Sequence, residues 1–253
     1  MSERPTLFLF PISHYCEKAR WALDHHGIEY RVERLAPGPH AIRMKRLGAE
    51  GSSVPLLKGP GVHVQGSALV VDWCDAQGSA ARCLTPDAHA EAARALEARA
   101  DRELGVQIRR HAYSEAVPVA PGPLRRRMRG GLSVGQALAF SVMWPAVRGM
   151  MIRGMDLGRA QREDARGRIE RELDWLDELL SDGRRYLVGD GFTRADLAVA
   201  SLLSPIADPP ERPDRGERLP TPAVNAAVDG WRERPAIRWA RSIYAAHRVR
   251  DGA

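Results

Sequence analysis

Every strand signal in this chain lies before Ser67, and none follows Pro86. A chain divided in this way cannot spread one sheet over its whole length. It is expected to fold as α/β followed by all-α, in two domains that meet near residue 80.

Thr6–Phe10 is a short continuous apolar run, the pattern of a buried central strand. Pro11-Ile12-Ser13 breaks it. From Tyr15 to His26 the spacing turns helical, with Cys16, Ala19 and Leu23 on one face and Gly27 as a C-cap candidate. Glu29–Leu35 alternates and reads as a second strand, parallel to the first across the helix. A short helix around Ala41–Leu47 precedes a strand from Leu56 to Lys58, a Gly59-Pro60-Gly61 turn and a hairpin partner, Val62–Gln65. The next helix opens at Ser67, a residue suited to the N-cap, and ends near Gly78.

Beyond the small-residue linker Gly78–Pro86 the pattern is helical. Asp87–Tyr113 is rich in Ala and Glu. Val117–Pro123 holds three prolines in seven residues and is expected to be a loop. Ser133–Met155 reads as a helix with a kink before Pro145. Arg159–Leu180 is strongly amphipathic, with Ile169, Leu173, Leu176 and Leu180 at three- and four-residue steps. A helix over Thr193–Leu203 follows. Pro205–Pro222 holds six prolines and is expected to be irregular, and two short helices, Ala223–Arg232 and Pro235–His247, close the pattern.

Composition narrows the function classes. With 253 residues, 44% hydrophobic and 28% charged, the chain has ordinary core-forming capacity. The net charge of +6 is spread over scattered arginines, apart from Leu124–Arg129 with four in six residues. That run suits a solvated loop or helix end, with a phosphate-binding patch as the sharper alternative. No zinc-finger spacing, RNA-binding aromatic signature or helix-turn-helix pattern accompanies it, so neither a nucleic-acid partner nor a metal is expected. A small anionic ligand fits the charge equally well. Leu132–Met155 is apolar but broken by Pro145, Arg148 and Arg153, so no membrane span is expected. Three irregularly spaced cysteines, Cys16, Cys74 and Cys83, do not form a disulfide framework. The opening residues lack a signal-peptide pattern, which makes the cytoplasm the expected location.

The first chemistry-bearing segment is Ser13-His14-Tyr15-Cys16, where the first strand hands over to the first helix. A helix N-terminus offers free backbone N–H groups and a partial positive charge, which stabilise a thiolate. Ser13 cannot form a disulfide with Cys16, but its hydroxyl can donate to the sulfur of a bound thiol. Cys16 is either a buried, inert small hydrophobe or a reactive thiol. His14 and Tyr15 read as turn and packing residues or as part of a substrate pocket. The second segment is Ser53-Val54-Pro55, an ordinary turn before a strand or a backbone edge for a bound peptide. The third is Val64-Gln65-Gly66-Ser67, a helix start that serves as a plain cap or a carboxylate site.

Together these three segments resemble the cytosolic glutathione transferase superfamily, in a divergent bacterial-type form with a serine/cysteine-type active site. Tyr186-Leu187-Val188-Gly189-Asp190-Gly191 followed by Phe192-Thr193-Arg194-Ala195-Asp196-Leu197 resembles the folding motif of its helical domain. The resemblance implies a thioredoxin-like domain over 1–79 and an all-helical domain over 86–253 that forms a second-substrate pocket. It implies glutathione as co-substrate, with Ser13 (or Cys16) at the sulfur and Val54 beside Pro55 pairing with the cysteinyl backbone. Ser67 with Gln65 or Gly66 would hold the γ-glutamyl end. Gly66 stands where the family usually has an acid, so the ammonium needs Gln65 or an acid from another subunit. Arg109, His111, Tyr113, Phe140, Met143 and Trp144 are the pocket candidates on the helical side. The implied activity is attack of a glutathione thiolate on a small electrophile, in a homodimer. A glutathione-dependent isomerase, lyase or thiol-transfer enzyme, and a non-catalytic binding or assembly protein, are the alternatives.

Overall fold

The computed structural model describes residues 4–248. Four strands, β1 (Thr6–Leu9), β2 (Arg31–Arg34), β3 (Leu56–Gly59) and β4 (Val62–Gln65), form one sheet in the order β2-β1-β3-β4. β1 pairs parallel with β2 and antiparallel with β3, with Leu7 opposite Val32 on one side and Leu57 on the other. Side chains alternate across a strand. Leu7 and Leu9 therefore enter the main core with α1 (His14–His25) and α3 (Ser67–Gln77), while Phe8 packs with Leu35, Met44 and Leu56 beneath α2 (His40–Arg46). Both faces are covered, which is why β1 reads as unbroken apolar sequence rather than alternation.

Helix α1 stops where expected. His26 is its C-cap, and Gly27 follows with φ +67°, a conformation that suits glycine. The start of α3 differs from expectation. Ser67 is the first helical residue, and the cap is Gly66 at φ +107°. Only a residue without Cβ takes that conformation freely.

The helical half comprises α4 (Ala90–Arg99), α5 (Val106–Val119), α6 (Pro121–Arg129), α7 (Val134–Gly154), α8 (Arg159–Leu179), α9 (Arg194–Ala207), α10 (Pro222–Trp231) and α11 (Pro235–His247). A π-helical turn, Ala100–Gly105, joins α4 to α5 without a break. Val117–Pro123 is not a loop. Pro118 sits in the last turn of α5, Pro121 opens α6, and only Ala120 leaves the helical region. Proline suits the first helical position, where its N–H has no partner to lose. Near Pro118, Arg148 Nε donates to the carbonyl of Val117 at 3.1 Å. Helix α7 runs through Pro145 as one element. Among the described residues no helix is long and apolar enough to cross a membrane.

One core runs across both halves. Trp21 of α1 is fully buried, with its ring 4.4 Å from Tyr244 of α11 and 5.7 Å from Phe192. A buried charge network crosses the same seam. Lys18 Nζ of α1 meets Glu97 Oε1 at 3.1 Å and Asp101 at 2.7 Å. Arg194 Nε of α9 meets Glu97 Oε2 at 2.6 Å, and its Nη1 meets Asp72 of α3 at 2.6 Å. Asp196 closes the capping box of α9. It accepts from Thr193 N at 2.8 Å and from Leu187 N at 2.7 Å, and so pins the preceding loop to the helix.

Candidate active site

A cavity of about 560 Å³ opens between the β1–α1 turn and helices α5, α6, α7 and α10. Its floor is Phe10, Ile12, Ser13, His14 and Tyr15, and one wall is Ser52-Ser53-Val54.

Ser13 is the N-cap of α1. Its Oγ accepts the backbone N–H of Cys16 at 3.3 Å, and its one hydroxyl proton can go to the Cys16 sulfur behind it or to a group in the cavity. Behind it Cys16 is only 2% exposed, and burial pushes its thiol up to about 11, against the pull of the Ser13 hydroxyl. Cys16 does not line the cavity. A thiol so placed carries little thiolate at neutral pH, which favours the inert reading.

His14 and Tyr15 do line the cavity, but their polar atoms are committed elsewhere. Both reach carbonyls of the π-helical turn. His14 Nε2 donates to Gly105 O at 3.1 Å, and the Tyr15 hydroxyl donates to Asp101 O at 2.6 Å. A Cβ on Gly105 would lie 2.5 Å from the Tyr15 hydroxyl oxygen, so the small residue there permits the close approach of α1 and α5. Burial, then the Arg212 and Arg109 cations, hold the His14 imidazole down to about 3. It is neutral and a poor base. Burial, then the Asp101 carboxylate, push Tyr15 up to about 12.

The peptide bond between Val54 and Pro55 is cis. Among the described residues neither the N–H nor the C=O of Val54 has a hydrogen-bond partner, and Val54 faces the cavity. Gln65, Gly66 and Ser67 are not part of the lining, but they adjoin it. Gln65 Nε2 donates to Ser53 O at 2.7 Å and to Gly51 O at 3.1 Å, which leaves its Oε1 as a free acceptor. The first turn of α3 carries no acidic residue, and the Ser67 hydroxyl has no partner among the described residues. Pro55 lies behind Val54, buried, with its carbonyl accepting from Gly66 N at 2.9 Å.

On the helical side the expectations divide. Arg109 and Tyr113 of α5 line the cavity. Burial pushes the Tyr113 hydroxyl up to about 12, although the Arg109, Arg127 and Arg212 cations oppose the shift. Trp144 does not reach the cavity. It is 7% exposed and packs edge-on against Phe140 at 5.5 Å, in a core shared with Val147 and Leu124. His111 is turned away, with Nδ1 against Arg162 O at 3.2 Å. Met143 lies outside the lining, which α7 supplies instead through Val147, Met150 and Met151. Helical spacing alone did not reveal which face of α7 turns inward, because apolar residues surround the helix.

Sequence reasoning missed Arg127 and Arg212 as cavity residues. Arg127 belongs to the arginine run that reads as solvated, and Arg212 to the proline-rich segment that reads as irregular. The tertiary path of the 208–221 segment along the cavity wall has no local sequence signature.

The model of the glutathione S-transferase N-terminal domain matches residues 7–81, and that of the C-terminal domain matches residues 159–234. The chain belongs to the glutathione transferase superfamily. Comparison with curated proteins found no match. Solved structures with the same fold include a glutathione transferase of Phanerochaete chrysosporium, 16% identical, covering 99% of this chain and 100% of that one, with a TM-score of 0.62. One of Ceriporiopsis subvermispora in complex with glutathione is 16% identical, covers 99% and 100%, and has a TM-score of 0.60. One of Methylobacillus flagellatus with glutathione bound is 20% identical, covers 93% and 98%, and has a TM-score of 0.52.

Proposed function

We propose that the chain binds glutathione against Val54, activates its thiol at Ser13, and transfers it to a small electrophile held by the helical half. The observation that carries this reading is the meeting, in one cavity, of a serine at the N-terminus of α1 and a backbone edge with both polar groups unpaired among the described residues. The Val54 N–H and C=O pair with the cysteinyl backbone as an added strand would. The γ-glutamyl carboxylate takes the free N–H groups of the α3 start and the Ser67 hydroxyl. Its ammonium takes Gln65 Oε1, where the family usually places an acid.

The free thiol has a pKa near 8.5, by analogy with cysteine. A hydrogen bond from Ser13 and the α1 N-terminus stabilise the thiolate, and the thiol proton passes to solvent. The sulfur then forms a bond to the electrophilic carbon as the leaving group departs with its electron pair. The burial of Cys16 argues against thiol transfer through that residue. The absence of an acid at position 66 favours, as a second reading, a binding protein with a weakened site. Division into domains over 1–79 and 86–253, a homodimeric assembly and a cytoplasmic location complete the reading.

Retention on immobilised glutathione tests it. The native chain is expected to be retained, Ser67→Ala to be released, and Ser13→Ala to be retained without turnover. Retention without any turnover in the native chain supports the binding protein, and no retention removes both readings.

A further inference from the structure

Charge in the cavity is one-sided. Among the described residues five arginines line it, Arg109, Arg127, Arg212, Arg218 and Arg232, against one carboxylate, Asp208. Asp208 is already taken, with Arg215 Nε and Nη2 on its two oxygens at 3.0 and 2.7 Å. Arg218 is answered by Asp229 at 3.0 Å and by the Asn225 side chain at 2.8 Å, and Arg232 lies 3.9 Å from the same Asp229. Three cations are left without a carboxylate.

Two of them, Arg212 and Arg127, have guanidinium atoms shielded from solvent, whereas Arg109 is exposed. Arg212 is 6% exposed, yet among the described residues its Nε has no partner and its side chain makes one hydrogen bond, to Ile12 O at 3.4 Å, directly before Ser13. Arg127 Nε is likewise shielded without a partner, and its Nη1 finds only Glu217 O at 3.4 Å. The Arg109 side chain makes no hydrogen bond or ion pair among the described residues. Burial and the Arg212 charge lower Arg127, against the smaller opposing pull of Tyr113 and Asp208. Buried charges are normally paired, and an unpaired one marks a place where a counter-charge belongs. The rest of the lining is apolar, with Leu124, Met128, Met151, Ile206 and Leu219.

We infer that the second substrate is an amphipathic organic carboxylate, its apolar body on the α6–α7 wall and its carboxylate held by Arg212 and Arg127, with Arg109 at the mouth. The identity of this ligand as the electrophile rests on the glutathione reading above, whereas the anion site itself rests on the arginines alone. The planar, forked guanidinium suits a carboxylate by paired hydrogen bonds.

Titration calorimetry with 6-phenylhexanoate and its neutral primary amide tests the assignment without any turnover. The carboxylate is expected to bind roughly tenfold or more tighter than the amide, and less so as salt is raised. Arg127→Gln and the exposed Arg109→Gln are each expected to weaken the carboxylate, by roughly tenfold and threefold, while leaving the amide within about twofold. Arg212→Lys, checked for native unfolding temperature, keeps the charge but loses the fork and is expected to fall between. Equal binding of acid and amide by the native chain overturns the inference even if glutathione binds. So does loss of the acid's advantage under saturating glutathione, because the arginines then serve glutathione's own carboxylates. A persistent advantage in a chain that binds no glutathione upholds the anion site and removes the glutathione reading.

Discussion

The Ser13 hydroxyl oxygen accepts the backbone N–H of Cys16 at 3.3 Å, which holds the serine at the cavity edge and leaves its one proton to the Cys16 sulfur behind or to a ligand in front. The same bond divides the labour between the two residues. Ser13 faces the cavity, and Cys16 packs behind it in the core.

Cys16 is therefore expected to resist alkylation. In the native protein near pH 7.5, iodoacetamide should label the half-buried Cys83 well before Cys16, whose thiol is held up near 11. Cys16→Ala should keep turnover within about threefold, a loss of less than about 1 kcal/mol in barrier terms. Mass spectrometry of the labelled protein and an assay of the variant check both points. Rapid labelling of Cys16, or lost activity in Cys16→Ala, would favour the reactive reading.

Glu97 is the hinge of the buried network, since Lys18 and Arg194 share its two oxygens. Glu97→Gln leaves two buried cations facing a neutral amide, while Lys18 keeps Asp101 and Arg194 keeps Asp72. Breaking a buried pair from one side typically costs about 3–5 kcal/mol, and the remaining carboxylates reduce this to about 1–3 kcal/mol. Denaturant unfolding of the variant should show a loss of that order. A loss below about 1 kcal/mol would mean that water reaches the seam.

Much of this architecture is legible in the residues. The TLFL run, the Gly27 stop and the Thr193–Asp196 box each settle structure over a few residues, and the structure places an element where each points. The failures share a cause. Val117–Pro123 reads as a loop because prolines are counted without asking whether each falls at a helix end, where the missing N–H costs little. Ser67 reads as a cap because serine is a good one, yet the chain enters α3 through a positive φ that Gly66 alone takes freely. Trp144, Arg127 and Arg212 depend on which way a helix or an irregular segment turns in three dimensions, which local pattern does not encode.

The share of stability that His14 controls should fall as the solution is acidified. His14 is held neutral in the fold, its pKa lowered to about 3, whereas in the unfolded chain it titrates near 6.5. Between those values the unfolded state binds a proton that the folded state does not, so stability rises with pH across this window and is flat above it. His25, lowered to about 4, acts in the same sense. His14→Gln removes the His14 share. From about pH 6 to about pH 5 the native chain should lose about 1 kcal/mol more than the variant. Parallel pH dependences of the two unfolding free energies would contradict the assignment.

The thiol pKa of bound glutathione tests the central claim most directly. It is read from the ultraviolet absorbance of the thiolate as pH is varied, in the native chain and in Ser13→Ala. A hydrogen bond to a charged group contributes about 1.5–3 kcal/mol, or about one to two pKa units. The native chain should hold the thiol well below the free value of about 8.5, and Ser13→Ala should raise it by about that amount while still binding glutathione. An identical thiol pKa in the two proteins would contradict the role assigned to Ser13.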